Sequence, residues 1–448
     1  MRVLILNPDV PFPPICGGQS RTYHLLRALA AHHDLTLVVF KRGLEDGPAT
    51  PPFPLEVISV PWVRPELYRQ MHEGSPLESD AAYRQLAYEN DEPWFVSCYD
   101  SPTMEDVLKQ MARRSFDLIL IEHSFMGKFL PFLHPDVPKI LNLHNVHTLM
   151  AWRSALEKSG SDRTDAEREF ERTRSFERMV SKTCQLCLCC SEDDAEAARR
   201  FLNIERVRVI PNGVDTVYMR PNGSAVVPGY ILFTGTMDYE PNVEAVRYFA
   251  GYILPLIRRQ VPHATFHIAG AYPRPEVQAL ASEGSVFIHG SVADMRPHFH
   301  AASVVVVPLL HGGGTRLKIL DAAACGKPIV STPLGAEGLK FVDGRDLILA
   351  DSASAFAHAV AGLLSDPRRR SELSQAARRA AGAYDWTRIG REFRHAVIGV
   401  ARTHRNRRRR NNAVTPRFPP SQWAPINEDT AVHSGSDRVV PRPARQEG

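Results

Sequence analysis

The sequence predicts an α/β protein built from doubly wound, mostly parallel sheets, and three observations carry this prediction. Short β-branched strands alternate with helical stretches along most of the chain, as in βαβ units. Two stretches, one at the start of the chain and one after residue 229, repeat the order strand, glycine turn, helix, strand. The length of 448 residues is too great for one ordinary domain and suits two large ones.

The first half is predicted to open with a short buried strand at residues 3–6. A proline-rich loop follows, then Gly17 and Gly18, a helix over residues 20–31 and a strand at 35–40. Later elements of this half alternate in the same way. They are strands at 118–121, 140–143 and 207–210, and helices around 104–113 and 165–182.

The second half repeats this order after a break rich in proline, glycine and asparagine at residues 211–229. A strand at 230–233 leads to Gly235, and a loop through Pro241 precedes a helix over 242–259 and a strand at 265–269. The repeat predicts that each half forms its own sheet.

Charge and hydropathy exclude several classes of protein. The net charge is +4, but residues 401–448 carry +6 and the remainder carries −2, so the body is not a nucleic-acid surface. No apolar run is long enough for a bilayer span or a signal-peptide core, and we therefore expect a cytoplasmic protein. Residues 61–101 lack clear periodicity and are interpreted as a lid or an acceptor-recognition insertion.

The tail from residue 402 is rich in arginine and proline and poor in large apolar residues, which predicts disorder. Its run RNRRRR, from Arg405 to Arg410, could hold the protein at an anionic membrane surface by about 1 kcal/mol per basic residue. A solvated tail without a partner is an equal alternative.

Seven cysteines raise the question of a metal site, because four of them crowd into the segment CQLCLCC at residues 184–190. No second Cys or His pair lies nearby at ligand spacing, and the segment is typical of a buried strand in which cysteine acts as a small apolar residue. We expect reduced thiols and no metal here.

Residues 303–339 combine a strand, a glycine loop, a helix and a second strand into a unit typical of anion binding. Four valines at 304–307 predict a buried parallel strand, which Pro308 ends by removing a ladder donor. Three glycines follow, and because they lack Cβ atoms their backbone amides can approach a ligand closely. These residues are Gly312, Gly313 and Gly314.

A helix predicted to open at Thr315 would point its free N–H groups and positive dipole end into the same space. Arg316 and Lys318 add two cations there, and Lys318 shares a helical face with Asp321. The order suits a nucleoside diphosphate, with phosphates at the helix end and Asp321 accepting hydrogen bonds from ribose hydroxyls. Glycine loops can also join a strand to a helix without binding anything, but the cations and the acid in register favour a phosphate cradle.

Together with this block, several motifs make the chain resemble the family-4 glycosyltransferases over most of residues 1–400. The most specific are VIPNGVD (209–215), ILFTGTMDYEPNVEAVRYF (231–249), GSVADM (290–295) and GGGTRLKILDAAACGKPIVSTPLGAEGL (312–339). Weaker matches are the glycine pair at 17–18, EH at 122–123 and SEDDA at 191–195. The resemblance implies the GT-B architecture, in which two facing Rossmann-like domains hold a nucleotide sugar in the cleft between them.

The resemblance also implies a division of labour along the chain. Residues 1–210 would form the acceptor-side domain and 211–383 the nucleotide-sugar domain. A helix over 384–401 would cross back to the first domain, and 402–448 would form the tail. Residues 211–223 and the segment 384–400 would act as the hinge.

Site residues implied by the resemblance lie in both domains. The backbone amides of Gly17 and Gly18 would meet the donor, and His123 would contact the donor sugar from the end of its strand. His144 and Asn145, which end the next strand, are weaker candidates. Gly235 is a further expected substrate-binding residue. The HNVH spacing of His144 and His147 could suggest a metal pair, but no third ligand is apparent.

The sequence departs from the family pattern in two places. Members usually carry two acids eight positions apart in the second domain, and here Gly313 occupies the first position and Asp321 the second. Recognition of the sugar hydroxyls would then rest on the amides of the glycine loop or on His311. The loop GTMDYEPN also lacks the Arg and Lys usual after its strand, so Arg316 and Lys318 are expected to carry the diphosphate charge.

The expected function is retaining transfer of a hexose from a nucleotide sugar to a glycan, lipid-linked or small-molecule acceptor in polysaccharide or envelope glycoconjugate synthesis. Stabilising the leaving diphosphate is the largest catalytic task, and Arg316 and Lys318, with His123, are the predicted catalytic residues. No D-x-D acid pair occurs, so we expect no metal and no other cofactor. Two alternatives remain open at this point: a nucleotide-sugar epimerase on the same scaffold and a non-catalytic nucleotide-binding homologue.

Overall fold

The computed structural model describes residues 1–41, 50–62 and 91–414. Residues 1–404 form one compact unit, and a second unit covers 405–448, of which residues 405–414 are described and are helical. Most of the predicted lid or acceptor-recognition insertion, residues 63–90, lies outside the described residues, as does the tail beyond residue 414.

The first half of the chain forms a parallel sheet of seven strands in the order β3-β2-β1-β4-β5-β6-β7. Its central strands are mostly apolar and buried, because helices cover both faces of a parallel sheet. The strands are β1 (Arg2–Asn7), β2 (Asp34–Lys41), β3 (Glu56–Pro61), β4 (Leu118–Glu122), β5 (Lys139–Asn142), β6 (Leu186–Cys189) and β7 (Val207–Val209).

The second half forms a separate parallel sheet of six strands in the order β10-β9-β8-β11-β12-β13. The four valines of β11 are wholly buried between neighbouring strands and helices, as their β-branched run predicts. The strands are β8 (Tyr230–Thr234), β9 (Thr265–Ala269), β10 (Val286–Gly290), β11 (Val304–Val307), β12 (Ile329–Ser331) and β13 (Ile348–Leu349).

Helices connect the strands in both halves. In chain order the described α-helices are α1 (Gly17–Ala30), α2 (Trp94–Ser97), α3 (Pro102–Met111), α4 (His147–Glu157), α5 (Gly160–Thr183), α6 (Glu192–Leu202), α7 (Glu240–Tyr248), α8 (Leu254–Gln260), α9 (Pro275–Gln278), α10 (Arg296–Ala301), α11 (Leu317–Ala324), α12 (Ala353–Ser365), α13 (Pro367–Ala381) and α14 (Trp386–Val414). A π-helical turn, Phe249–Ile253, separates α7 from α8.

Both sheets reverse their strand order beside the first strand of the half. In the first sheet β1 lies between β2 and β4, and in the second β8 lies between β9 and β11. Ligands of open α/β sheets bind at the carboxyl ends of the strands at such switch points. The predicted fold class, two doubly wound parallel-sheet domains, is confirmed, and the loops that carry the predicted site leave the strands at these points.

The chain passes between the two halves at two places, and the two passages lie side by side. Val214 N–H donates to the Tyr384 carbonyl at 2.9 Å, and Trp386 N–H donates to the Val214 carbonyl at 3.2 Å. Beyond this point α14 packs on α1 of the first domain. The ring of His24 stacks on Trp386 with centroids 4.9 Å apart.

The described part of the tail departs from its prediction. Disorder from residue 402 does not hold for residues 402–414, which continue α14. The reason is that arginine is a good helix former, and a helix anchored by its buried first turns propagates until a breaker such as Pro416 approaches. Among the described residues, no helix combines the length and the hydropathy that a bilayer span requires.

Candidate functional site

The glycine loop after β11 lies in the cleft, directly against the first domain. Gly312 and Gly314 have φ angles of +112° and +72°, which residues with side chains rarely adopt. A Cβ atom at Gly314 would overlap Asn145 Oδ1, and one at Gly313 would lie 3.0 Å from Met150 Cγ. The loop backbone therefore faces the other domain at close range, and larger residues here would hold the domains apart.

The helix after this loop begins at Leu317, two residues later than predicted, so Thr315 belongs to the loop. Arg316 is the residue before the first turn and has an extended backbone, with φ −89° and ψ 102°. Its side chain folds back to donate to the carbonyls of Gly313 and Gly314, a contact that competes with helical geometry at this position.

The guanidinium of Arg316 is buried but only partly satisfied. Nη1 donates to the Gly313 carbonyl and, at 2.8 Å, to the Gly314 carbonyl, whereas Nε and Nη2 have no partner within the described part of the chain. Burial lowers the pKa of this group. Buried cationic donors without a partner are costly in free energy, and an anion held between the domains would satisfy them.

Lys318 is the second residue of α11 and follows Arg316 by two positions. Its Nζ donates to Asn242 Oδ1 at 2.8 Å and sits 3.9 Å from the centre of the Phe233 ring. Burial, together with the charge of Arg316, holds the pKa of Lys318 well below its usual range. A bound anion would favour the charged form of both residues, because an opposite charge at short range stabilises the protonated group.

Asp321 follows Lys318 on α11, opposite the core-facing side of the helix. Its enclosure raises the pKa of the carboxyl to about 7. No hydrogen-bond donor is found for this side chain among residues 1–41, 50–62 and 91–414. A carboxyl in this position can accept hydrogen bonds from hydroxyl groups of a ligand.

On the first domain, His123 and His144 end neighbouring strands and stack on each other with ring centroids 3.7 Å apart. His123 has a φ angle of +67°, a strained conformation that turns its side chain away from the strand direction. Burial lowers the pKa of both histidines far below the usual value. Both rings are therefore neutral near pH 7.

Glu122 fixes the orientation of His144. Its Oε2 lies 2.6 Å from His144 Nε2 and accepts from Asn142 Nδ2 at 2.8 Å, while burial raises the pKa of the carboxyl to about 7. When the Glu122 carboxyl is ionised, it accepts from Nε2–H of His144, which leaves Nδ1 as an acceptor beside Gly18. The weak EH motif therefore marks a carboxylate that positions His144, in addition to His123.

The three remaining predicted glycines also lie around the cleft. A Cβ atom at Gly17 would lie 3.3 Å from Leu317 of the second domain, and one at Gly18 would lie 3.7 Å from His123 and His144. Gly235 has a φ angle of +153°, and a Cβ atom there would lie 3.0 Å from Lys318 Nζ. Leu317 packs against the hydrophobic core and also lies beside α1 of the first domain.

His311 stands at the rim of the cleft between two carboxylates. Glu157 of the first domain lies 3.6 Å from its Nδ1, and Glu244 of the second lies 3.4 Å from its Nε2. A second polar contact across the cleft joins Arg153 Nη1 to Glu337 Oε2 at 3.0 Å. The structure thus places His311 near the glycine loop, but paired with acids.

Sequence reasoning missed a buried cation at the centre of the site. Arg21, on α1, is almost wholly buried and donates to the side chains of Asn142 and Asn212 and to the Ile210 carbonyl. Asn212 in turn donates to Thr315 Oγ1 at 2.7 Å. The only sequence signal for Asn212 was the VIPNGVD motif, and nothing marked Arg21, which resembles an ordinary charged residue on an amphipathic helix.

The described residues contain no cluster of three or more ligand-type side chains arranged for a metal ion. His144 and His147 contact different acids. His144 Nε2 lies 2.6 Å from Glu122 Oε2, and His147 Nδ1 lies 3.2 Å from Glu177 Oε1. The four crowded cysteines are free thiols, and burial raises the pKa of each. They are Cys184, Cys187, Cys189 and Cys190.

Family models match both halves of the chain. A family model described as "Glycosyltransferase Family 4" matches residues 91–218, and one described as "Glycosyl transferases group 1" matches residues 228–366. The two matches fall on the two sheets. They cover the strand ends that carry His123 and His144 and the loop that carries Arg316.

Two curated relatives are similar to parts of the chain. A D-inositol 3-phosphate glycosyltransferase of Xylanimonas cellulosilytica is 26% identical over 313 residues, 62% of this chain and 72% of that protein. A GDP-mannose-dependent alpha-(1-6)-phosphatidylinositol monomannoside mannosyltransferase of Mycolicibacterium smegmatis is 32% identical over 162 residues, 33% of this chain and 42% of that protein.

Solved structures share the fold at low sequence identity. Sucrose-phosphate synthase from Thermosynechococcus elongatus has a TM-score of 0.66 at 18% identity, covering 89% of this chain and 99% of that chain. Anabaena HepE, solved in complex with UDP-glucose, has a TM-score of 0.62 at 15% identity, covering 89% of this chain and 100% of that chain. With both sheets matched by the family models and the expected two-domain architecture confirmed, the chain belongs to the family-4, group 1 glycosyltransferases and has the GT-B fold.

Proposed function

We propose that this glycosyltransferase moves a hexose from a nucleoside diphosphate sugar to an acceptor with retention at the anomeric carbon and without a metal ion. The observation that carries the proposal is the pair of partly buried cations beside the glycine loop. Nε and Nη2 of Arg316 have no partner among the described residues, and Lys318, two residues later, has a depressed pKa. Both features suit a diphosphate that gains negative charge as its glycosidic bond breaks.

The names of related proteins support the class of donor. One relative is described as GDP-mannose-dependent, and HepE has been solved with UDP and with UDP-glucose. The shared chemistry is a diphosphate joined to a sugar, which matches a site with two cations and an enclosed carboxyl. Asp321 would accept from the ribose hydroxyls, and the amides of Gly17 and Gly18 would face the donor sugar.

Metal independence follows from the source of the positive charge. A divalent cation in sugar transferases neutralises the diphosphate, and in this chain Arg316 and Lys318 would do so instead. We expect turnover to be unchanged after exhaustive chelation and dialysis. If chelation abolishes turnover, and turnover returns only when Mg²⁺ or Mn²⁺ is added, this part of the proposal is wrong.

Retention rests on the family resemblance, and among the described residues we nominate no carboxylate as a nucleophile. NMR of the first product formed should show the same anomeric configuration as the donor. An inverted product would remove this part of the proposal and leave the transferase activity intact. The pathway that we propose is polysaccharide or envelope glycoconjugate assembly on the cytoplasmic side, consistent with a relative named for phosphatidylinositol monomannoside.

The leaving-group role is tested by Arg316→Ala and Lys318→Ala. Removing one preorganised donor at a developing charge costs about a hundredfold in kcat, and we expect a loss of at least this size in each variant. Arg368, which is 91% exposed on the same domain, supplies the matched control variant Arg368→Ala. Unchanged turnover in both site variants would overturn the proposal. Incubating the donor alone distinguishes a transferase from an epimerase, because only the epimerase changes the sugar without an acceptor.

A further inference from the structure

The buried guanidinium of Arg21 lies at the junction of the two domains and is held by neutral groups. Nη2 donates to Asn142 Oδ1 at 2.9 Å, and Nη1 donates to the Ile210 carbonyl at 2.8 Å and to Asn212 Oδ1 at 3.0 Å. A buried cation retained among neutral acceptors costs desolvation free energy, so its position calls for an explanation beyond stability.

A guanidinium can only donate hydrogen bonds, and this fixes the orientation of both amides. Each asparagine must turn its oxygen toward Arg21, which directs its NH₂ group the other way. Asn142 Nδ2 therefore donates to Glu122 Oε2 at 2.8 Å within the first domain. Asn212 Nδ2 donates to Thr315 Oγ1 at 2.7 Å in the second domain.

The consequence at Thr315 is directional. Its hydroxyl oxygen accepts from Asn212, so the hydroxyl hydrogen must point elsewhere, and it has no acceptor in the described part of the protein. Thr315 lies between Gly314, whose φ angle is +72°, and Arg316, whose guanidinium has two unpaired nitrogens. Its hydroxyl hydrogen thus belongs to the same set of unsatisfied donors as the cation beside it.

We propose that Arg21 and Asn212 are positioning residues that direct the hydroxyl hydrogen of Thr315 toward a diphosphate oxygen of the donor. The inference rests on the proposed function, and it adds to that function one specific hydrogen-bond donor, the hydroxyl of Thr315. Arg21 belongs to the first domain, Thr315 to the second, and Asn212 to the segment that connects them, so the series of contacts that orients the hydroxyl is complete only when the cleft is closed. Phosphate recognition by Thr315 is thereby coupled to domain closure.

The test compares Asn212→Asp with Thr315→Val by titration calorimetry, with UDP and GDP as probes. An aspartate at 212 keeps an oxygen toward Arg21 but replaces the NH₂ donor with a second acceptor, so Thr315 would donate to it instead of to the phosphate. We expect each variant to bind the probe about tenfold more weakly, the value of one hydrogen bond to a charged group. Thr315→Ser keeps the hydroxyl that Thr315→Val removes, and it should bind the probe with the affinity of the wild type.

The double variant separates this mechanism from simple charge repulsion. In the Thr315→Val background, Asn212→Asp should weaken binding by less than about twofold, because the hydroxyl that it diverts is gone. A loss as large as in the wild-type background would overturn the proposal, as would wild-type affinity of Asn212→Asp. Asn222→Asp in the exposed loop is the matched control for the added negative charge, and thermal unfolding of every variant checks that the fold is kept.

Failure of the inference and failure of the proposed function give different results. If the wild-type protein binds neither probe and turns over no nucleotide sugar, the proposed function is lost. If the wild type binds a probe and both single variants bind it equally well, the proposed function stands and the role of Arg21, Asn212 and Thr315 falls.

Discussion

Three side chains in the cleft have shifted pKa values, which the sequence alone does not indicate, because the protein encloses each of them. Arg316, Lys318 and Asp321 would be ordinary charged residues on an exposed helix, yet burial shifts the pKa of each toward its neutral form. The two cations lie nearest the glycine loop, and the acid lies a turn farther along α11. A ligand with phosphates at one end and hydroxyls at the other matches this order.

Asp321 leads to a prediction about pH. The pKa of its carboxyl is about 7, and an ionised carboxylate accepts hydrogen bonds from a ribose diol better than the acid does. Nucleoside diphosphate affinity should therefore rise as pH increases through about 7, and Asp321→Asn should bind about tenfold more weakly at pH 8. Calorimetry at several pH values measures both effects.

The control for this experiment is inorganic pyrophosphate, which lacks ribose and should bind Asp321→Asn and wild type alike. The ligand phosphates titrate identically with both proteins, so only the difference between them reports on Asp321. Parallel pH profiles for the two proteins would show that Asp321 does not contact ribose. Stability should follow the opposite trend, because a raised acid pKa contributes stability that is complete below about pH 4 and lost as pH rises through about 7.

At the scale of elements, α14 joins the two domains through a buried face. Phe393 and Val397 are wholly buried, and a Cβ atom at Gly390 would lie 2.6 Å from Ala28 Cβ of α1. Both passages of the chain between domains meet at the start of this helix. Its packing therefore determines how firmly the domains are held.

Phe393→Ala tests this role. Truncating a fully buried phenylalanine costs about 3–5 kcal/mol, and we expect a decrease of that size in the free energy of unfolding measured in urea. Arg391 is exposed on the same helix, and Arg391→Ala should change stability by less than about 0.5 kcal/mol. A loss below about 1 kcal/mol for Phe393→Ala would contradict the assigned packing.

Much of the element order follows from local patterns. The valine run of β11 and the strand Thr265–Ala269 lie where their apolar patterns predict them. One predicted helix, over 242–259, is interrupted by the π turn Phe249–Ile253 because Pro255 in the next turn lacks an N–H donor. The edge strand Glu56–Pro61 was not predicted, since its alternation is short and ends in proline.

The site was less predictable than the fold because part of it depends on distant pairs. The glycine loop with its cations is contiguous in sequence, so chemistry and spacing indicated it directly. Arg21 has its role only because it donates hydrogen bonds to residues 142, 210 and 212. These residues are distant in sequence, so no local pattern predicts the contacts. The position of the helix start after Thr315 likewise depends on where the Arg316 side chain finds acceptors.

On the scale of the whole molecule, polar contacts bridge the cleft away from the phosphate region. Arg153 of α4 pairs with Glu337 of the second domain, and both side chains are mostly buried. His311 lies between an acid of each domain. These contacts exist only when the domains are close, so they favour the closed arrangement.

Arg153→Ala should shift the protein toward an open cleft and lower kcat/KM. A partly exposed ion pair is worth up to about 1 kcal/mol, so we expect a decrease of up to about fivefold in steady-state assays. The charge-reversed pair Arg153→Glu with Glu337→Arg should recover most of the activity that either single reversal loses. Additive losses in that double variant would show that the two residues do not act as a pair.

Helix α1 has one further consequence, because it reaches from the cleft to the contact with α14. Gly18 lies beside the paired histidines, and Ala28, ten residues later, meets Gly390 on α14. Ten helical residues span about 15 Å. The helix α1 therefore connects the paired histidines of the cleft rigidly to the contact with α14. Because the contact between Ala28 and Gly390 has no room for a side chain, a larger residue at position 390 would displace α1 and with it the glycine that faces the paired histidines.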